Sequence, residues 1–446
     1  MKHLLLKMYG PFLGLLLSMC FFNPTDGDSN LPVDDRVKTF FDAEVIYDEK
    51  REQTESTHVF KESVPRLLSR HDLEKISRMH HDHIHDVIFV IRPKNMDELT
   101  RVLHDISYPS SKNYGQHWTR DEVFNLTSNP EACDAIVTYL HSHGVSAVSE
   151  SLNGEYITAT APIIVWEEIF NTEFFTFHQT HRNGRVEKLV RAEEYWIPKA
   201  LESHIESVFN TIQMPYQLSG NLPNVQSISK LGTSHFHTSG LLYDGLITPL
   251  KIRHYYNMST SVEGSSASTQ AVYAPNAQYY SPVDLKFFQV NLAPPNRTVT
   301  TTTVATYSND TICRIDLSSC ATSNGALQYL MSTSSVSPTT YWYSDQSISD
   351  WLVTVSNSAN PPLVLSISYV TYESYMSVSE LNAFTIAAIK LSTMGVTIVV
   401  SSGDDGAVGE GVTYDGVGLC AYAPTFPASN PYVVSVGTTM VRSSSN

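Results

Sequence analysis

The chain has 446 residues, 42% of them hydrophobic, enough for two or three domains with buried cores. Its formal charge of −16 argues against nucleic acid or an anionic membrane surface as a main partner. Charged residues make up only 17%, a composition that suits a secreted, acid-tolerant protein.

Residues 1–24 read as a signal peptide. Lys2 and Lys7 give a basic start, 11–22 is an apolar run, and Asn23-Pro24-Thr25-Asp26 breaks it. A short membrane anchor is the competing reading, but the run is short for a span. Cys20 goes with that segment, which leaves Cys133, Cys313, Cys320 and Cys420 for an oxidising compartment. Cys313 and Cys320 are close enough in sequence to bridge; a metal site there would lack a nearby His or a second Cys pair. Asn125, Asn257, Asn296 and Asn309 open Asn-X-Ser/Thr sequons, which fits glycosylation on a secretory route. The expected location is therefore secreted or lysosomal/vacuolar.

The next elements belong to a first unit, 25–214. Alternation predicts a strand at 85–91. A helix follows at 96–107, with Leu99, Val102, Leu103 and Ile106 on one face and Asn95 as its cap. Thr119-Arg120-Asp121-Glu122 is a capping box opening a short helix. Asn129-Pro130 starts another that ends at Gly144. Strands at 145–148 and 155–160, a helix at 163–170 and a strand at 173–178 complete a small α+β domain of ferredoxin-like type. The tract His80-His81-Asp82-His83-Ile84-His85 looks like metal ligands, but consecutive ligands rarely close a site, and a solvated segment ahead of a strand competes.

All 17 histidines lie between His3 and His254. Below pH ~6.5 the first unit would gain positive charge while the chain past His254 would not, an acid-sensitive arrangement. Residues 215–246 carry Pro, Gly, Ser and Asn with little periodicity and read as a linker open to processing, or as an ordinary surface loop.

A second unit begins near Ile247. It contains strand-like 299–305, helical 325–332, a buried type of strand at 363–369, and a helix opened by the capping box Ser377-Val378-Ser379-Glu380 and ending before Gly395. Strands at 396–400 and 432–436 follow. This alternation predicts an α/β domain with a parallel sheet. The absence of His after His254 leaves the unit past that residue without an imidazole base for a Ser-His-Asp triad. A serine activated by carboxylates in an acid medium is still compatible with it. Asp404 sits on a Gly-rich loop directly after the strand at 396–400, where α/β folds place chemistry. A turn acid capping backbone amides is the competing role.

Several segments together carry a family resemblance. They are Ser401-Ser402-Gly403-Asp404-Asp405-Gly406, Pro424-Thr425-Phe426-Pro427-Ala428-Ser429 and Pro431-Tyr432-Val433. To these add Tyr108-Pro109-Ser110-Ser111-Lys112-Asn113-Tyr114-Gly115-Gln116-His117-Trp118-Thr119 and Glu194-Tyr195-Trp196-Ile197-Pro198. Ile252-Arg253-His254-Tyr255-Tyr256-Asn257 and Gln278-Tyr279-Tyr280-Ser281-Pro282-Val283-Asp284-Leu285 extend the set. The chain resembles the sedolisin family of serine-carboxyl peptidases with their pro-kumamolisin activation prodomain. The resemblance implies an activation prodomain over 25–214, a linker at 215–246, and the N-terminal part of a subtilisin-like peptidase domain over 247–446. It implies acidic serine-type proteolysis, by an endopeptidase or a tripeptidyl-peptidase, with peptide or protein substrates and the prodomain as partners.

In that family a Glu and an Asp four residues apart on one helix serve the serine, and a further Asp lines the oxyanion hole, donating a hydrogen bond when protonated. Asp404 matches the oxyanion-hole position. The family Asp stands two residues before a Gln-Tyr-Leu-Met-like run, here Gln328-Tyr329-Leu330-Met331. Ala326 therefore takes the Asp position and Thr322 the Glu position. Alanine accepts no proton and threonine is a poor base. Asp316 is the nearest acid upstream, out of register, and reads as a loop residue. The family nucleophile lies in a Gly-Thr-Ser-like turn well past the strand at 432–436, and Gly437-Thr438-Thr439 comes too early. The family calcium site lies further on, so the resemblance implies no cofactor in this chain, which reads as C-terminally incomplete. The expectation is an impaired pro-peptidase. The alternative is a non-catalytic homologue that binds peptides or a partner peptidase, or inhibits through its prodomain.

Overall fold

The computed structural model describes residues 57–64, 72–151, 154–180, 184, 186–214, 247–259, 264–292, 301–303, 308–344, 347–408, 413–414, 417–418 and 423–439. The signal segment, the linker at 215–246, Asn296, Cys20 and Cys420 lie outside the described residues. By its contacts the chain divides into one unit of 58–406 with 423–446 and another of 1–57 with 407–422.

The larger unit opens with β1 (His58–Ser63), β2 (Leu73–Arg78) and β3 (Ile84–Ile91), then α1 (Met96–Ser107), α2 (Arg120–Thr127) and α3 (Pro130–Ser142). β4 (Ala147–Glu150), β5 (Tyr156–Pro162), α4 (Ile163–Phe170), β6 (Phe174–Thr180), β7 (Val186–Ala192), β8 (Glu194–Pro198) and β9 (Ile205–Phe209) follow. A four-stranded antiparallel sheet runs in the order β4-β5-β3-β9. β2-β6-β7 form a second sheet and β1-β8 a pair.

The two-residue repeat of β3 explains its near-continuous apolar sequence. Val87, Phe89 and Ile91 face α3 and α4, packing with Ile136, Trp166 and Phe170. Ile88 and Val90 point the other way, into a core supplied by the second half of the chain. Each such buried side chain contributes about 1.5–3 kcal/mol. The capping box at Thr119 forms, with its hydroxyl accepting from the Glu122 N–H. Asn129 caps α3 through the Ala132 N–H. Asn95 does not cap α1. It takes a left-handed conformation (φ 55°) and its side-chain amide donates to the Leu126 carbonyl instead.

From residue 247 come α5 (Pro249–Tyr255), β10 (Gln270–Ala274), α6 (Pro282–Asn291), β11 (Thr301–Thr303), α7 (Asp310–Ile315), α8 (Ala321–Thr333) and β12 (Thr339–Tyr343). Then follow α9 (Ile348–Asn357), β13 (Val364–Ile367), β14 (Thr371–Tyr372), α10 (Val378–Thr393) and β15 (Thr397–Ser401). β16 (Thr413–Tyr414) and β17 (Val417–Gly418) form an antiparallel ladder in the smaller unit. β18 (Thr425–Phe426) and β19 (Val434–Val436) return to the larger one. A six-stranded sheet runs β11-β12-β10-β13-β15-β19, with every pair parallel.

Both faces of this sheet are covered, as parallel sheets require. Ala271 and Tyr273 of β10 join Trp351, Phe384 and Leu391 of α9 and α10. Val272 and Ala274 join Leu327 and Met331 of α8 and Leu285 of α6. The helix expected at 325–332 begins at Ala321, which brings Thr322 into its first turn. Cys313 and Cys320 form a disulfide, with Cα atoms 5.3 Å apart. Among the described residues no helix is long and apolar enough to cross a membrane.

Candidate functional site

The carboxyl ends of the inner strands β10, β13 and β15 lead into three segments at one end of the sheet: Gln278, Tyr369 and the Asp404 loop. That loop is fixed at its base. The Ser402 N–H donates to the Val436 carbonyl at 3.0 Å. Thr425 Oγ1 donates to the Ser402 carbonyl at 3.0 Å, and β14 pairs with β18 beneath it. Gly403 has φ 86°, and a Cβ there would sit 3.2 Å from Thr425 Cγ2 and 3.3 Å from Val370 Cγ2, so glycine answers both the conformation and the approach. Asp404 is exposed. Asp405 is partly buried and accepts from the Tyr372 hydroxyl at 3.2 Å, so it is a tethered neighbour.

α8 packs against β10 and carries Thr322 and Ala326 one turn apart, both partly buried. Ala326 lies against the core of Val272, Tyr280, Leu327 and Tyr341. The residues between them are held by hydrogen bonds. Ser323 Oγ lies 2.7 Å from the Tyr369 hydroxyl. That hydroxyl donates to Gln278 Oε1 at 3.1 Å, so Ser323 is the donor of the first bond. Burial holds the Tyr369 phenol well above its ordinary value, keeping it neutral. Asn324 accepts from the Ser281 N–H at 2.8 Å and donates to Asp284 at 3.1 Å. α8 contains no carboxylate. Asp316 turns its two oxygens onto Ser318 and Ser319, the part of a turn residue.

The structure thus places Thr322 and Ala326 together on one helix, and Asp404 on a loop at the carboxyl end of β15 in the sheet that helix packs on. Of the sequon residues, Asn125 and Asn257 are exposed. Asn309 is partly buried and caps α7 by accepting from the Ile312 N–H at 3.0 Å.

The other prominent feature is the contact between residues 58–214 and the pair α9–α10. Glu62 accepts from the Ser379 N–H at 2.9 Å, and Ser207 Oγ donates to the Ser379 carbonyl at 3.1 Å. The Trp118 N–H donates to the Thr393 carbonyl at 3.0 Å, and outside the helix pair Asn276, just after β10, donates through Nδ2 to Glu187 at 2.9 Å. The Lys390 ammonium donates to Glu155, with both side chains buried. Burial, and then Glu380, push the Asp350 carboxyl up to about 7, opposed by Ser347 and Arg191. Burial likewise lowers Arg191 to about 10. Beside this contact, a cavity of about 1110 Å³ is lined by Lys75, Arg78, Glu167, Glu193, Tyr375 and Glu380, among others. It holds neither Asp404 nor any residue of α8.

Sequence reasoning missed the Ser323–Tyr369 link and the Glu155–Lys390 pair. The second had a local signal, a lone lysine inside the apolar run Ala387-Ala388-Ile389-Lys390-Leu391.

Residues 71–214 match the family model of the pro-kumamolisin activation domain. Physarolisin of Physarum polycephalum is 27% identical over 385 residues, covering 82% of this chain and 61% of its own length. Tripeptidyl-peptidase 1 of Macaca fascicularis is 26% identical over 370 residues, covering 79% of this chain and 61% of its own length. An alignment of 82% of the chain cannot fit within either half, so the likeness runs through the activation-type segment and the parallel sheet together. The likeness is to the sedolisin family. A further relative, tripeptidyl-peptidase sed1 of Aspergillus fumigatus, is 26% identical over 407 residues, covering 77% of this chain and 62% of its own length. The chain therefore spans about three fifths of the length of these relatives.

Proposed function

We propose that this chain is a secreted or lysosome-directed sedolisin-family proprotein. Residues 25–214 act as its activation prodomain, 215–246 as a processed linker, and the segment from 247 as a peptide-recognising, subtilisin-like domain. The order β4-β5-β3-β9, with helices ahead of β4 and after β5, supports a ferredoxin-like prodomain. The all-parallel sheet, covered on both faces, supports the partial subtilisin-like domain.

The family reaction, acid serine-type peptide hydrolysis, is impaired here. The observation that carries this is α8, which has Thr322 and Ala326 in the register of the acid pair and packs Ala326 into an apolar cluster. Neither side chain takes a proton from a serine, so the general-base part of the chemistry has no group on this helix. Asp404, exposed at the carboxyl end of β15, is kept as the oxyanion-hole counterpart. Peptide binding without efficient turnover is the expected behaviour. The test is fluorescence anisotropy with short labelled peptides at about pH 4, near carboxyl pKa values, on chain cut within 215–246. Saturable binding that Asp404→Ala weakens supports the reading. Absence of saturable binding to any peptide of a mixed-sequence set contradicts it.

A further inference from the structure

Lys390 is the only cationic side chain on α9 or α10, and it is not directed to solvent. Its side chain is 4% exposed and that of its partner Glu155 is 8% exposed. The Nζ atom also lies 5.6 Å from the Phe124 ring centroid. The residues next to the pair in sequence belong to apolar clusters: Tyr156 follows Glu155, and Ile389 and Leu391 flank Lys390. The second carboxylate oxygen of Glu155 is buried without a hydrogen-bond partner. Glu155 and Lys390 come from the two halves of the chain, 235 residues apart.

A buried ion pair of this kind adds little net stability over an apolar pair of the same size, because both charges lose their water. Removing one partner is different: it strands a charge in an apolar interface. The pair is therefore a poor adhesive and a strong discriminator. The apolar contacts of Val90, Phe209 and Tyr156 with α9 and α10 supply attraction that any similar apolar sheet face would also supply. The Glu155–Lys390 pair adds a match of opposite charges that such a face would lack.

We propose that the Glu155–Lys390 pair is a recognition latch, through which the α9–α10 face keeps residues 58–214 of its own kind and rejects a similar segment without an acid opposite Lys390. This goes beyond the proprotein reading and takes from it only the idea that the linker at 215–246 is cut. Once the chain is in two pieces, the latch decides whether the first piece stays and which piece can replace it.

The experiment uses the full chain with the recognition sequence of an added protease placed within 215–246, cut after folding. Release of the N-terminal piece is followed by size-exclusion chromatography. Because an outside protease makes the cut, the result is independent of any peptidase activity or peptide binding by the chain. Glu155→Gln and Lys390→Met each leave one buried group unmatched, and release is expected to be about 100-fold faster. The paired variant Glu155→Met/Lys390→Met removes both charges together and is expected to hold its piece about as well as the parent. In competition, however, the paired variant's α9–α10 face no longer prefers the parental N-terminal piece over a piece with the Glu155→Met change. If the single variants fail to fold while the paired one folds, the coupling has the same sign and supports the latch. Single variants that release at the parental rate overturn it. So does a paired variant that behaves as badly as the single ones, since packing alone would then explain the loss.

Discussion

Ser323 Oγ and the Tyr369 hydroxyl lie 2.7 Å apart, both residues buried, and tie α8 to the segment leaving β13. Tyr369→Phe leaves the Ser323 hydroxyl buried with that bond unmade and should cost about 1–3 kcal/mol. Ser323→Ala with Tyr369→Phe should cost less than the sum of the two single changes, since one shared bond is counted twice. Urea unfolding of the four proteins measures this. Strict additivity would mean that the two hydroxyls do not interact.

Gly395 ends α10 with φ 89°, and a Cβ there would meet the His117 ring at 3.0 Å. Gly395→Ala should destabilise by about 1–3 kcal/mol through the positive φ and the overlap together. Adding His117→Ala should recover the overlap and leave the backbone strain. Thermal unfolding of the single and double variants separates the two, and full recovery by His117→Ala would refute the strain component.

How much of this was legible in the sequence follows from how local each signal is. The capping boxes at Thr119 and Ser377 need only four consecutive residues, and both form. The start of α8 was hidden because Thr322, Ser323, Asn324 and Gly325 are weak helix formers. Tertiary bonds from Ser323 to Tyr369 and from Asn324 to Ser281 and Asp284 override that preference. Asn95 misled for a similar reason, since its amide finds the Leu126 carbonyl rather than the helix end. β9 has five residues and finds its partner β3 far back along the chain, so periodicity alone did not mark it. The Gly-rich setting marked Asp404, but nothing in the sequence marks the Tyr372–Asp405 bond. The acid-sensitive charge expected from the histidines does not extend evenly, because His85 is buried and held neutral.

Two desolvated groups should give opposing pH slopes. The Asp350 carboxyl is raised to about 7, with Glu380, Arg191 and Ser347 around it. Its unfolded value is about 3.9, so its stabilising contribution is present below that pH and lost as pH rises to 7. His85 is lowered to about 4 by burial, with the Asn210 carbonyl opposing and Arg191, His83 and Asp86 also acting on it. Its unfolded value is about 6.5, so its contribution is present above that pH and lost as pH falls to 4. Asp350→Asn removes only the first slope. Urea midpoints should then fall more steeply on acidification than in the parent, and exceed the parent's above pH 7. Parallel curves for the two proteins would contradict this.

The Cys313–Cys320 disulfide should stabilise α7 and the start of α8 by about 2–3 kcal/mol, modest because the closed loop is short. Cys133 is a free, buried thiol pushed up to about 11 by burial and by Glu150. Thiol labelling of the native protein at about pH 8, near the ordinary thiol pKa, should leave Cys133 unmodified until denaturant is added. Mass spectrometry of the digest reads both the bridge and the protected thiol, and rapid native labelling of Cys133 would refute its burial.

On the proposed reading, in which Thr322 and Ala326 take the acid-pair positions, the chain should hold peptide without turning it over. Peptide hydrolysis at about pH 4, where carboxyl groups titrate, measures this on chain cut at the linker, using a mixed-sequence peptide set and product detection by mass spectrometry. The expected outcome is no cleavage above that of an Asp404→Ala control, while peptide binding persists. Cleavage by the parent chain that Asp404→Ala abolishes, with Thr322 and Ala326 in place, would mean that the replaced acid pair is not needed and that the site is active.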